Sequence, residues 1–130
     1  MKPSVMLTVT SLFSILLLSL HISEDILLGF AKGGLENLFA IAILVVYLCG
    51  ALLLSPRRSG LIIVLIGSII ATGMPVLHRS GAGVGVNRSA GAFFFIWNLY
   101  ALGVTGTFGI ILSALELWRA RGVRRGGLAG

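Results

Sequence analysis

The sequence predicts an all-α protein: an integral membrane antiparallel four-helix bundle, built as one domain over residues 1–130. Three observations carry this. Only 11% of the residues are charged while 57% are hydrophobic, and the mean hydropathy is +1.06, against roughly 25% charged residues in a soluble domain. A chain this short cannot hide so much apolar surface within itself, so lipid must be the solvent for most of it. Apolar stretches also recur at about 4–23, 37–54, 61–77 and 92–118, and a helix needs about 20 such residues to cross the hydrocarbon. Finally, short polar or Gly/Pro segments separate the stretches, as expected of helices joined by turns at a lipid surface.

The first span is the cleanest. Pro3 to Ser23 contains no Asp, Glu, Lys or Arg. Lys2 before an apolar core also suits a secretory signal peptide, but Leu20, His21 and Ile22 interrupt the small-residue pattern of a cleavage site around Ser19 to Ser23. The segment is therefore read as a retained helix. Ser4, Leu7, Ser11, Ser14, Leu18, His21 and Asp25 recur at alternating steps of three and four, which draws one stripe along a helix. That polar stripe should face other helices rather than lipid.

Between the first two spans, Gly33-Gly34 breaks the helical pattern, and Ile26-Leu27-Leu28 with Phe30 suits an interfacial turn. The second span is nearly pure Leu, Ile, Val and Ala. Ser55-Pro56-Arg57-Arg58-Ser59-Gly60 is a tight turn that makes spans two and three an antiparallel hairpin. The third span carries Pro75 near its far end, where a kink or a frayed last turn is expected. Its small stripe is Gly60, Val64, Gly67, Ala71, Met74 and His78.

His78 to Gly91 is glycine-rich, with Arg79 and Arg88, and reads as a flexible loop. It lacks the GK[ST] of a phosphate-binding loop. Asn87-Arg88-Ser89 matches the glycosylation sequon, which matters only in a glycosylating secretory route. The fourth span would be about 40 Å long as a helix, so it must tilt or begin among the headgroups, with Trp97, Tyr100 and Trp118 at the interfaces. Its small stripe is Ala101, Thr105, Gly109 and Ser113, with Asn98 above and Glu116 below.

Basic residues set the orientation. Lys2, Arg57, Arg58, Arg119, Arg121, Arg124 and Arg125 fall on one side; Lys32, Arg79 and Arg88 fall on the other. The positive-inside rule then places both termini in the cytoplasm of a cell whose inner membrane holds the chain. Although the net charge is +6, the basic residues are scattered and not interleaved with aromatics. They point to lipid contact, and nucleic acid is not an expected partner.

Catalytic motifs are absent: there is no GxSxG, HExxH, Walker or dinucleotide fingerprint. Cys49 is the only cysteine, so no internal disulfide or CxxC site exists. Ser23 lies beside His21 and Asp25, but successive residues on one helix cannot make a working triad. Glu116 and Arg119 read as a surface pair. No acidic residue lies at mid-span to couple ions.

One constellation remains. The topology puts His21, Asp25, His78 and Asn98 at the same outer level. Two imidazoles and a carboxylate form the donor set of a first-row divalent metal. His21, Asp25 and His78 are therefore the candidate metal ligands, with Asn98, Asn37, Glu24 and Met74 on the pocket rim and Met74 a soft ligand if the metal is copper. A haem or a quinone headgroup is the other occupant such a pocket would take. The plainer reading is a wet interfacial layer in which Asp25 bonds His21 or pairs with Arg79.

With His21-Ile22-Ser23-Glu24-Asp25, Ser-Pro-Arg-Arg-Ser-Gly, Pro75-Val-Leu-His78 and Ala-Phe-Phe-Phe-Ile-Trp97 in view, the chain resembles small four-span bacterial inner-membrane proteins that carry no assigned function. It lacks the mid-span Glu of small multidrug exporters. The resemblance implies the fold and location and is silent on mechanism. Two functions are expected: a non-enzymatic accessory or structural protein acting by helix contacts, as a homo-oligomer or with a membrane-protein partner; or a redox or ligand-binding protein built on the His/Asp pocket.

Overall fold

The computed structural model describes residues 2–29, 31–55, 57–79 and 90–126. Four α-helices occur among these: α1 Pro3–Leu27, α2 Leu38–Leu52, α3 Arg58–Arg79 and α4 Ala90–Gly126. Three of them, over Pro3–Leu27, Arg58–His78 and Phe93–Arg121, are long and apolar enough to cross a membrane.

Pro3 opens α1 at a position where its missing N–H is no loss. The helix runs past the expected stop at Ser23 to Leu27, so His21, Glu24 and Asp25 all lie on its last turns. Gly29 ends it in the left-handed region at φ 77°, and the Ala31 N–H donates to the Asp25 carbonyl at 3.0 Å. A 3-10 turn over Leu35–Asn37 then leads into α2.

The second apolar stretch is shorter as a helix than the sequence predicts. α2 has 15 residues, about 22 Å at 1.5 Å per residue. Its start is taken by the 3-10 turn, and its end is cut by the turn to α3. A Cβ on Gly60 would stand 2.6 Å from the Leu54 carbonyl carbon and 2.9 Å from the Gly50 oxygen. Only glycine lets the chain fold back so tightly there.

Pro75 neither breaks nor frays α3, which continues to Arg79. Its ring instead packs where α4 offers Gly103, whose Cβ would lie 3.0 Å from Pro75 Cγ. α4, with 37 residues, extends the expected span at both ends. Beyond Trp118 it carries the exposed Arg119 and Arg121.

The broadest contact joins α3 to α4, followed by α1 with α4. α2 touches α1 and α3, while α1 and α3 meet only narrowly. The order around the bundle is therefore α1–α2–α3–α4, with α1 and α3 on the diagonal. Their C-terminal ends meet the start of α4, the end that carries the site.

The core is layered. At one end Leu7, Tyr47, Ala51, Leu61 and Val64 form an apolar cluster. Next come hydroxyls: Ser11, Ser14, Ser68 and Ser113 are fully buried. Tyr47 and Ser68 share a hydrogen bond of 3.0 Å. Ser11 donates to the Leu7 carbonyl at 2.7 Å, and Ser113 to the Gly109 carbonyl at 2.6 Å. Such back-bonding satisfies hydroxyls that have no water to turn to. Above them Leu18, Ala71 and Leu102 close a second apolar layer, with Met74 packed against it.

The stripe drawn on α1 matches its buried face: Leu7, Ser11, Ser14, Leu18 and His21 are its buried residues. On α4 the seam is rotated from the one read in the sequence. Phe95, Asn98, Leu99, Leu102, Gly106, Gly109 and Ser113 are buried, while Ala101 and Thr105 lie half-buried at its edge.

Candidate metal centre

The two helix ends that meet on the diagonal deliver the site. His21 comes from the buried stripe of α1 and is 1% exposed. Asp25 follows one turn later, and His78 sits on the last turns of α3. The His21 Nε2 lies 3.5 Å from Asp25 Oδ2, and the His78 Nε2 lies 3.5 Å from Asp25 Oδ1. The imidazoles contact each other edge to face, with centroids 4.6 Å apart. Phe95 of α4 backs both, at 5.3 Å from His21 and 5.5 Å from His78.

The bonding of His78 fixes its lone pair. Its Nδ1 is 3.1 Å from the Met74 carbonyl, which can only accept, so Nδ1 carries the hydrogen. In the neutral ring Nε2 then presents a lone pair toward Asp25. At 3.5 Å neither imidazole–carboxylate approach is a hydrogen bond, since N–H···O bonds span about 2.7–3.2 Å. Both ring nitrogens of His21 are buried without a hydrogen-bond partner. Of the six buried side-chain atoms left unpartnered among the described residues, five belong to His21, Glu24, Asp25 and Asn98. The shortfall is concentrated at one end of the bundle.

One donor atom from each of His21, Asp25 and His78 lies within 4.8 Å of the others. A tetrahedral ion with bonds of about 2.0–2.2 Å holds its donors about 3.3–3.5 Å apart. Each imidazole stands at about that spacing from one oxygen of Asp25, His21 from Oδ2 and His78 from Oδ1. Two imidazoles and a carboxylate are the borderline-to-hard set that suits iron(II), zinc or manganese. A haem held between both imidazoles does not fit, because the two rings are in edge-to-face contact and leave no room for a porphyrin between them.

The other residues singled out in the sequence divide. Asn98 reaches the site end and donates from Nδ2 to Glu24 Oε2 at 2.8 Å. Met74 contributes its carbonyl to His78, while its side chain packs on the Leu18 layer rather than serving as a soft ligand. Asn37 gives its amide to the Lys32 carbonyl at 2.6 Å, inside its own loop. The expected Asp25–Arg79 pair rests on a side chain outside those described. The loop reading of residues 80–89, the Asn87 sequon, Arg88 and the side chains of Arg124 and Arg125 also fall outside them. Glu116 and Arg119 form the expected pair, at 2.8 Å.

Sequence reasoning missed Phe95 as the wall behind both rings. The signal was available: Phe95 and Asn98 are three apart on one helical face. What hid Phe95 was its neighbours, because Phe93 and Phe94 face outward.

Fold and site together define a helical membrane-type bundle with an imidazole–carboxylate cluster at one end. Compared with protein-family models, curated proteins and solved structures, the chain matches none.

Proposed function

We propose that this chain is a small multi-pass membrane protein that binds a divalent first-row metal ion through His21, Asp25 and His78, and that its role is binding rather than catalysis. The observation that carries this is His21: an imidazole 1% exposed, with neither nitrogen hydrogen-bonded, facing a carboxylate and a second imidazole. Leaving a buried polar group unpartnered costs about 1–3 kcal/mol. A cation among the three donors removes that cost.

The reading extends to topology. α2 with its preceding 3-10 turn covers about 28 Å, which suffices for a fourth crossing where the bilayer thins slightly. With four passes, the basic asymmetry supports a topology with both termini in the cytoplasm and the metal site on the outer side of a bacterial inner membrane, in keeping with the resemblance to small four-span proteins. The bilayer is the first partner. A purely accessory role, through a second copy or another membrane protein, has less to draw on. The small residues Gly67, Gly106 and Gly109 are taken up inside the chain against Tyr47, Thr72 and Ser68.

The test is elemental analysis and an absorption spectrum of protein purified in detergent, followed by titration of the stripped protein with zinc, iron(II) and manganese(II). One equivalent per chain is expected, and His21→Ala should abolish it. If wild-type protein takes up none of these metals, the proposal fails.

A further inference from the structure

Beside the three ligands stands a second pair with unused bonding capacity, and it says in what form the ion is held. Asn98 is 4% exposed and donates from Nδ2 to Glu24 Oε2 at 2.8 Å. A carboxylate oxygen only accepts in such a contact, so the amide nitrogen is committed to Glu24 and the amide oxygen points away from that bond. The two atoms left over, Glu24 Oε1 and Asn98 Oδ1, are both buried and both without a hydrogen-bond partner. Each of them is an acceptor.

The pair adjoins the metal ligands on both of its helices. Glu24 is next to Asp25 and one turn from His21 on α1. Asn98 is one turn from Phe95 on α4, whose ring contacts both imidazoles. Three protein donors leave a four-coordinate ion one open position and a six-coordinate ion three. A water in such a position has two polarised hydrogens to give, and these two oxygens are unspent acceptors at the same end of the bundle.

We infer, resting on the metal reading above, that the ion is bound with at least one water still attached, and that Glu24 Oε1 and Asn98 Oδ1 accept hydrogen bonds from that water. A single hydrated cation then accounts for four of the five unpartnered atoms at this end: one ring nitrogen of His21 and the Asp25 oxygen by direct ligation, and the oxygens of Glu24 and Asn98 through water. It also sets the ligand class. The site takes a divalent ion that keeps water, such as manganese(II), iron(II) or zinc, and its imidazole–carboxylate donors discriminate against the soft copper(I).

Manganese(II) is the probe, because its bound waters are read directly from water-proton relaxation. Asn98→Leu removes the amide without changing charge. Glu24→Gln keeps an oxygen for the Asn98 bond and puts an NH2 where Oε1 stood, so a donor faces the water. Expected are at least one exchanging water on the wild-type complex and a 10–100-fold weaker affinity in each variant, the usual effect of losing an outer-shell partner. Far-UV helicity and thermal unfolding of each stripped variant report folding separately. If wild-type protein binds manganese(II) with no exchanging water, or either folded variant binds as wild type does, the inference is overturned while the metal reading stands. If wild-type protein binds none of manganese(II), iron(II) and zinc, the metal reading itself is wrong.

Discussion

At the scale of single residues, His21 is where stability and binding part company. A core position on α1 that packs against Phe95, one turn above the buried Leu18, suits an apolar side chain such as Leu. An imidazole there with no hydrogen bond is destabilising unless something is bound. His21→Leu should therefore raise the unfolding temperature of metal-free protein in chelator, by the equivalent of about 1–3 kcal/mol, while eliminating metal uptake. Loss of stability in chelator would mean that His21 is a satisfied packing residue. The opposite case is Tyr47, whose hydroxyl is bonded to Ser68. The candidate ligands on α1 were legible in the sequence because a three-and-four stripe carries its own geometry: Leu7, Ser11, Ser14, Leu18 and His21 are all inside. Asn37 was not legible. Its sequence neighbourhood placed it at the outer level, but a local bond to Lys32 decides where its amide goes.

At the scale of helices, the packing of α3 on α4 turns on which glycine faces backbone and which faces a side chain. The sequence stripe singled out Gly109, and a Cβ there meets the Ser68 hydroxyl and, at 3.0 Å, its Cβ. That hydroxyl can rotate away, at the expense of its bond to Tyr47. Gly106 was not in the stripe, yet its Cβ would stand 2.7 Å from the Thr72 nitrogen and 2.8 Å from the Ser68 carbonyl oxygen. Backbone cannot rotate away, so the helices must separate. Gly106→Ala is expected to cost about 1–3 kcal/mol, more than Gly109→Ala, whereas Gly109→Leu should also wedge the pair apart. Gly73→Ala, with nothing within 4 Å, should be neutral or mildly stabilising. Thermal unfolding in detergent ranks the four, and an equal effect at Gly73 and Gly106 would dismiss the close approach. Helix existence and burial could be read from periodicity, but the phase of the α4 seam could not. Small residues occur on two adjacent faces of α4, and only the position of α3 selects between them. The same limit applied to α2, whose ends are set by a 3-10 turn and by the Gly60 approach rather than by its apolar run.

At the scale of the whole molecule, the layers make the site one-sided. Asp25 and His78 have side chains 18% and 24% exposed, whereas His21 behind them is 1% exposed. Directly beneath lie Leu18, Ala71 and Leu102, at 2%, 0% and 0%, and the neighbouring hydroxyls of Thr72 and Thr105 are spent on backbone carbonyls. The hydroxyls of Ser11, Ser14, Ser68 and Tyr47 come only below that layer. An ion entering past Asp25 and His78 therefore meets a dry barrier, where a charge without ligands is costly. Among the described basic residues, Lys2, Arg57, Arg58, Arg119 and Arg121 gather at the far end and Lys32 stands near the site; in the proposed topology the open side is the one away from the cytoplasm. In vesicles with the protein inserted in one orientation, zinc added on the side opposite the chain termini should bind. Zinc added on the terminal side should not, and a zinc-sensitive dye trapped in the lumen should stay dark in both cases. Terminal reporter fusions fix the orientation independently. Protein-dependent passage of zinc to the dye would show that the Leu18–Ala71–Leu102 layer opens, and the chain would then be a conduit rather than a receptor at one surface.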